Sequence, residues 1–425
     1  MPNVTIVSQL SQTTKWALCL FCLLLLFGCK TEKEELLRLT FNSPISVASP
    51  MFLELDEDFS ATFSLMKEVD KVTSEVPFQI DGNRLYFTPE TPYTNQKVSY
   101  YIVKGKAPSP HTAISQTKEK GDLSLSQAGK SLLTYRYGMT YPPEGVDSIF
   151  KKSGYIHPII TPKGDTLTRI QPPDHYHHYG MWGPWTHTRI DTVRVDFWNL
   201  GEGMGTVLFK AFKDTNSGGV FSSFTAAQEH IDFKTPKAPQ VALNEDLHVR
   251  LWNLGRPDRY MFDYTTSFSS PLENGILFEA YRYGGGLGLR FTERWKADNC
   301  TVLTSEGKDR LTADGSNARW AIVSGISTDG KGSSGILFMS YAENRMHPEP
   351  MRIWPIDGNN GRGDMFFEFC PIRHEEWQIE PNKKYELKYR MVVFDGELTA
   401  VEAEAYWQAF ANPQKASVNK KSSSN

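Results

Sequence analysis

The feature that most limits what this chain can fold into is a two-residue alternation of apolar and polar side chains, recurring in short runs broken by glycine, proline and asparagine. Such a period suits pleated strands, whose successive side chains point to opposite faces. Leu85–Pro89 and Val98–Val103, short apolar stretches set between turn residues, also read as strands, and Asp81-Gly82 just after Phe78–Ile80 is a hairpin cue. Residues 30–106 are therefore expected to form a small β-sandwich. Residues 107–130, rich in Pro, Ser, Gln and Lys, carry neither period and read as a linker. Beyond them strands are expected at Ser131–Tyr137, Val193–Trp198, Gly205–Phe212, Ala242–Trp252, Tyr260–Phe268, Leu289–Trp295, Trp320–Ile326 and Tyr385–Phe394, among others. Only Thr399–Phe410 carries a helical stripe, with Val401, Ala405 and Phe410 on one side and Glu402 and Glu404 toward solvent. It is expected to pack across a sheet edge. The fold class is all-β: a small amino-terminal sandwich, then a large antiparallel supersandwich over residues 131–412 with one carboxy-terminal helix, and a disordered tail over 413–425.

The ends point to export. Lys15 precedes the apolar run Trp16–Gly28, too short for a stable membrane anchor, so residues 1–29 read as a signal peptide. Leu26-Phe27-Gly28-Cys29 resembles the lipobox at which a bacterial lipoprotein is cut before a diacylated cysteine, and Lys30–Glu35 reads as its tether. The expected location is outside the cytoplasm, anchored in the outer membrane by lipid on Cys29 and facing periplasm or cell surface. Cys19 and Cys22 leave with the signal, so only Cys300 and Cys370 remain for a disulfide. A formal charge of −3, with both signs interspersed, gives no basic block for nucleic acid.

Between Asp174 and Trp198 stand four of the ten histidines and three of the ten tryptophans. Imidazoles titrate near neutral pH and can move protons or bind metals, and indoles stack on sugar rings. This stretch is the expected active site. Three readings of Asp174-His175-Tyr176-His177-His178 stay open: histidines that act without a metal, a divalent metal site, and a hydrogen-bonded structural cluster. On an extended strand His175 and His177 would face one way and His178 the other, so convergence of all three needs a bend, for which Pro172, Pro173 and Gly180 provide. The Gly284–Gly286 run lacks a phosphate-loop pattern, so no nucleotide cofactor is expected.

Asp174-His175-x-His177-His178-x-Gly180, followed by Asp196-Phe197-Trp198, resembles the signature of the PmoA-like family of exported bacterial lipoproteins. Asn344–Pro348 with Trp354, and Val393-Phe394-Asp395-Gly396 before an acidic helix, are similar to two later segments of that family. The likeness covers Leu37 to Pro413, with Tyr179 and Phe394 standing where arginine and histidine would be expected. The family's name borrows from a methane monooxygenase subunit, a multi-helix membrane protein whose helices this chain lacks. The resemblance implies a galactose-mutarotase-like sandwich, an architecture shared by lyases, epimerases and hydrolases of glycan breakdown, so fold alone does not choose among them.

The preferred chemistry is β-elimination at a uronate of an acidic oligosaccharide, as a carbon–oxygen lyase or a dehydratase. It needs a base, a donor to the leaving oxygen, and a group that stabilises the enolate-like carboxylate. His175, His177, His178 and Tyr179 are the expected catalytic residues. Trp182 and Trp185, in a Gly/Pro-rich loop, are expected as exposed sugar platforms; Arg189, Arg345 and Arg352, with Asn344, His347 and Trp354, are expected to bind substrate. This reading requires no cofactor, the divalent metal being the alternative. Hydrolysis ranks second and would draw two carboxyl groups from Asp196, Glu202, Glu293, Glu349, Asp364 and Glu368. A non-catalytic glycan-binding lipoprotein would use the tryptophans without turnover.

Overall fold

Strand Gln240–Trp252 shows how the alternation works: Leu243, Glu245, Leu247, Val249 and Leu251 are buried, while Asp246, His248 and Arg250 between them keep some exposure. It is the third strand of an eight-stranded antiparallel sheet ordered Gly205–Ser217, Phe221–Asp232, Gln240–Trp252, Arg259–Ser269, Tyr385–Asp395, Ser333–Ser340, Trp320–Ile326 and Cys300–Thr304. A nine-stranded antiparallel sheet packs on it, ordered Asn317–Ala318, Glu349–Ile353, Phe366–Phe369, Leu287–Arg290, Met181–Trp182, Tyr155–Ile159, Lys130–Arg136, Asp122–Gln127 and Ile114–Glu119. Leu133, Ile156, Leu287 and Phe367 from this sheet meet Val249, Phe262, Phe338 and Met391 from the other in the main core. The fold is thus the expected all-β sandwich. This computed structural model describes residues 35–40, 46–55, 62–89, 98–105, 114–413 and 417–420.

Strands buried on both faces read as nearly continuous apolar runs, and the centre of the eight-stranded sheet does so for that reason. Ile336, Phe338, Met391 and Val393 enter the main core, whereas Leu337, Met339, Val392 and Phe394 lie on the opposite face under the helix Ala400–Ala411. Thr399 caps this helix: its hydroxyl accepts from Glu402 N–H while the Glu402 carboxylate accepts from Thr399 N–H. The buried stripe is Ala403, Tyr406, Trp407 and Phe410, and Val401 is 81% exposed, so the expected stripe was rotated. The helix covers a sheet face, with Trp320 and Ile322 also beneath it, and not an edge. Glu402 and Glu404 are engaged with Arg259 and Arg319.

At the amino-terminal end, a five-stranded sheet that includes Glu35–Thr40, Phe63–Val69 and Val98–Lys104 packs on a three-stranded one through Leu39, Leu53, Leu65, Leu85 and Ile102. Two sequence readings are corrected here. Part of the stretch read as a linker forms strands Ile114–Glu119 and Asp122–Gln127, which pair along their length at the edge of the nine-stranded sheet. Ile114–Glu119 is the outermost strand, and its mostly polar side chains suit an edge in contact with water, whereas Leu123 and Leu125 of Asp122–Gln127 alternate into the core. Part of the stretch read as a disordered tail, Ser417–Lys420, pairs with Glu35–Thr40 and satisfies the main-chain groups of that edge. The signal peptide and Cys29 lie outside the described residues. Cys300 and Cys370 are both buried and unpaired, and no helix among the described residues is long and apolar enough to cross a membrane.

The nine-stranded sheet has a second buried face, away from the main core. Tyr155, Trp182 and Phe366 project there and are covered by Tyr179, Trp198 and Leu200. Gly288 makes this layer fit, because a Cβ at that position would lie 2.9 Å from the Trp198 ring. Each aromatic side chain so buried contributes roughly 1.5–3 kcal/mol. The layer is the floor of the site.

Candidate functional site

Two successive turns replace the extended segment. His175 N–H donates to Pro172 O at 2.8 Å, His178 N–H donates to His175 O at 2.9 Å, and Gln171 N–H closes the loop on His178 O at 2.8 Å. The turns put three imidazoles on one side: ring centroids lie 4.6 Å apart for His175 and His178, 4.7 Å for His177 and His178, and 5.5 Å for His175 and His177. They line a cavity of about 520 Å³ with Trp198, Trp354, Phe366, Tyr283, Asn199, Arg282, Arg352 and Asn359. Its walls carry imidazole, indole, phenol, amide and guanidinium groups, and no carboxyl group.

The charges are arranged one layer behind the wall. Asp174 Oδ2 bonds the His175 Nδ1 at 2.9 Å and pairs with Arg290 at 3.5 Å and Arg362 at 2.9 Å. Burial alone would raise the Asp174 carboxyl, but the hydrogen bonds from His175 and Asn359 and the charge of Arg290 outweigh it and hold the group well below the usual carboxylate range. An ionised carboxylate only accepts, so Nδ1 of His175 carries the proton and Nε2 carries the lone pair. Burial lowers the pKa of all three imidazoles: His177 falls to about 4, His178 falls further, and at His175 burial prevails over the opposing pull of Asp174. At neutral pH they are uncharged and able to accept a proton. Burial pushes Tyr283 up to about 12, which keeps its phenol a donor.

Arg290 ties the layer together. It is 1% exposed, lies 4.5 Å from the Trp354 ring, and pairs with Asp364 at 3.0 Å as well as with Asp174. Glu368, on the same sheet face as Phe366, is fully buried; one of its oxygens accepts from Gly284 N–H at 2.6 Å and the other has no partner. Burial raises it well above the ordinary range, so it stays a neutral acid beside the Arg352 position across the ladder.

Of the residues expected from sequence, His175, His177, His178, Arg352 and Trp354 reach the cavity. The others do not. Tyr179 is fully buried against Tyr155, with its hydroxyl on Phe150 O and Gln171, so it belongs to the floor. Trp182 and Trp185 are each 2% exposed, against the expectation of exposed platforms. Trp182 lies under His178, with centroids 5.1 Å apart, and Trp185 stacks on Phe278 at 4.0 Å in the main core. Arg189 pairs with Glu279, and Arg345 covers the Trp377 ring. Asn344 is buried among Ser340, Glu349 and Lys388, and His347 lies parallel to Trp407.

Sequence reasoning missed Asn199, Tyr283, Arg290 and Asn359, and gave Arg282 little weight. Asn199 follows Trp198 directly, and Arg282-Tyr283 precede the discounted glycine run, so both were within reach of the motif. No set of three or more His, Cys, Asp or Glu side chains among the described residues is arranged to hold a metal ion.

A family model described as a family of unknown function (DUF6807) matches residues 122–408. The family model does not name the PmoA-like lipoproteins, and the resemblance to them rests on the signature residues alone. No curated protein matches in sequence. Among solved structures, the chain is similar to the heparan sulfate lyase HepC of Pedobacter heparinus, with 10% identity and a TM-score of 0.33 over 70% of this chain and 38% of that one. It is similar to a galactose mutarotase related enzyme of Lactobacillus acidophilus, with 8% identity and a TM-score of 0.34 over 67% of this chain and 100% of that one. It is also similar to a glycosyl hydrolase family 38 protein of Enterococcus faecalis, with 11% identity and a TM-score of 0.37 over 92% and 48%. The chain spans less than half the length of the lyase and of the hydrolase.

Proposed function

Because the chain belongs to the family of unknown function DUF6807, whose name prescribes no chemistry, we propose an activity from the cavity itself: β-elimination at a uronate of an acidic oligosaccharide, as a carbon–oxygen lyase or dehydratase. The observation that carries this reading is a wall that combines neutral imidazoles, a protonated phenol and two guanidinium groups without any carboxyl group. His175 Nε2 takes the proton at C5, and the Asp174 carboxylate stabilises the imidazolium that forms. The electron pair of the broken C5–H bond becomes the C4–C5 double bond as the C4–O bond breaks. Tyr283 gives its proton to the departing oxygen, which leaves as water or as a sugar hydroxyl; the imidazolium then returns a proton to the phenolate through solvent. Arg282 neutralises the charge that grows on the uronate carboxylate, and Arg352, which is paired with Asp314, adds hydrogen-bond donors to it. Trp354 offers an indole face to the sugar ring.

Hydrolysis by two carboxyl groups finds less support. None of the six carboxyl groups named for it lines the cavity: Asp364 is held ionised by Arg290, Lys296 and Arg362, and Glu368, though a neutral acid, is fully buried. We place the enzyme outside the cytoplasm on a Cys29 lipid, as the amino-terminal pattern predicts, with the acidic oligosaccharide as its partner.

The test follows ultraviolet absorbance of a C4–C5 unsaturated uronate while the protein is incubated with a panel of uronic-acid oligosaccharides, with mass spectrometry alongside. Rising absorbance with loss of water means a dehydratase, and rising absorbance with chain cleavage means a lyase. Cleavage with water gained and no absorbance would overturn the reading in favour of a hydrolase. Binding without any product would leave a carrier.

A further inference from the structure

Between Trp354 and Asp364 the chain leaves the nine-stranded sheet and returns to it, and the segment between has an unusual internal economy. Its backbone hydrogen bonds close on itself: Gly358 N–H to Pro355 O at 3.0 Å, Gly361 N–H to Asp357 O at 3.0 Å, and Gly363 N–H to Gly358 O at 3.0 Å. Asn359 and Asn360 sit in left-handed backbone, at φ of 55° and 59°, next to Gly361 at 80°. The segment is therefore a preassembled Ω-like unit that needs no neighbouring strand to hold its shape. Pro355, Gly358, Asn359 and Asn360 nevertheless make one wall of the cavity.

What fastens its tip to the body is polar. Asn359 Nδ2 and Arg362 Nη2 both donate to Asp174 Oδ2 and Asp364 Oδ2, Arg362 at 2.9 and 2.7 Å. Asp364 is the fixed end of the segment, held by Arg290 and Lys296. Asp174, in the histidine loop, lies beside Asp364, since the Oδ2 atoms of both accept from Asn359, Arg362 and Arg290, and its same oxygen orients His175.

We infer that residues 355–363 are a lid that moves as one unit over bound substrate, and that Asn359 and Arg362 are positioning residues that latch it to Asp174. Closure then does two things at once. It seals one wall of the cavity from water, and it adds two donors to the carboxylate oxygen that orients the imidazole. The side chain of Arg362 is 47% exposed and that of Asp174 21%, so solvent partly screens the ion pair between them. The catalytic consequence rests on the reading of His175 as the base, whereas the lid itself does not.

Hydrogen–deuterium exchange of the native protein, Arg362→Ala and Arg362→Lys tests it, first without sugar and then with a uronic-acid tetrasaccharide. Peptides over 355–363 should exchange roughly fivefold faster in Arg362→Ala, with those over 174–178 following and the sandwich unchanged. Arg362→Lys should return close to the native rate, and tetrasaccharide should slow the segment in the native protein. In turnover, Arg362→Ala should lower kcat about tenfold and Arg362→Lys should recover most of it. Identical exchange over 355–363 in all three proteins, or acceleration spread through the whole sandwich, would overturn the lid. If the exchange pattern holds but no oligosaccharide yields unsaturated product, the lid stands and the proposed activity falls.

Discussion

Residues 172–178 and 344–354 look alike as sequence, each carrying histidine close to proline with a tryptophan nearby, yet the fold uses them in opposite ways. In the first, two turns gather His175, His177 and His178 at a cavity, and Nδ1 of His178 is buried without a partner. In the second, Asn344 is tied to Ser340, Glu349 and Lys388, and His347 lies flat on Trp407. Only the far end of that segment emerges, because strand Glu349–Ile353 points Glu349, Met351 and Ile353 inward and so turns Arg352, and Trp354 after it, toward the cavity. What separates a site from a brace is hydrogen-bonding capacity left unused by the protein, and composition alone does not report that.

The largest effect that would break this comparison is on turnover. His175→Ala should slow formation of unsaturated uronate by about 10²–10⁴-fold, the range for loss of a general base, with His347→Ala staying within about threefold of native. Initial rates at matched folded concentration, checked by circular dichroism, decide it. Equal losses in the two variants would mean that both histidines serve the same chemistry, or that neither does.

How much of this was legible in the sequence follows from how local each cause is. Short apolar runs between turn residues marked the strands, and an apolar stripe marked the helix over Thr399–Phe410, since both signals lie within a few residues. Convergence of the histidines was legible as a requirement for a bend, though not as a fact. Arg290 was invisible: at the end of Leu287-Gly288-Leu289-Arg290 it reads as a polar residue at a strand end, and only partners 116 and 74 residues away, Asp174 and Asp364, explain its burial. Trp185 misled for the opposite reason. Its Gly/Pro-rich surroundings suggested exposure, but a side chain on Gly285 would come within 2.1 Å of its ring, so the glycine there is what lets the indole sink into the core.

That misreading sharpens into a smaller pair of effects. Trp185→Ala should cost about 3–5 kcal/mol in urea unfolding, as for a large aromatic removed from a packed core, and leave oligosaccharide affinity of the folded protein unchanged. Trp354→Ala should cost less than about 2 kcal/mol of stability and weaken oligosaccharide binding about tenfold by calorimetry. A Trp354 variant that unfolds as readily as the Trp185 variant would move Trp354 from the site into the core.

The smallest effect separates the two segments by the sign of their response to pH. Burial raises Glu349 from 4.5 to about 7, against the opposing hydrogen bonds of Ser340, Tyr389 and Asn344. Between those values the folded protein keeps a proton that the unfolded chain has released, so this group's stabilisation is present below about 4.5, declines as pH rises, and is gone above about 7. The difference amounts to roughly 3 kcal/mol. Asp174 works the other way, since its folded pKa is depressed: its contribution is present at neutral pH and is lost only as pH falls through the acid range. Glu349→Gln, which keeps a neutral side chain of the same shape, should therefore gain on the native protein in urea midpoint from pH 5 to pH 8. Asp174→Asn should show its largest deficit at pH 8 and a shrinking one toward acid. Parallel pH profiles for the two variants would mean that the two carboxyl groups are held alike, and that the distinction between a charged site and a neutral brace is not electrostatic.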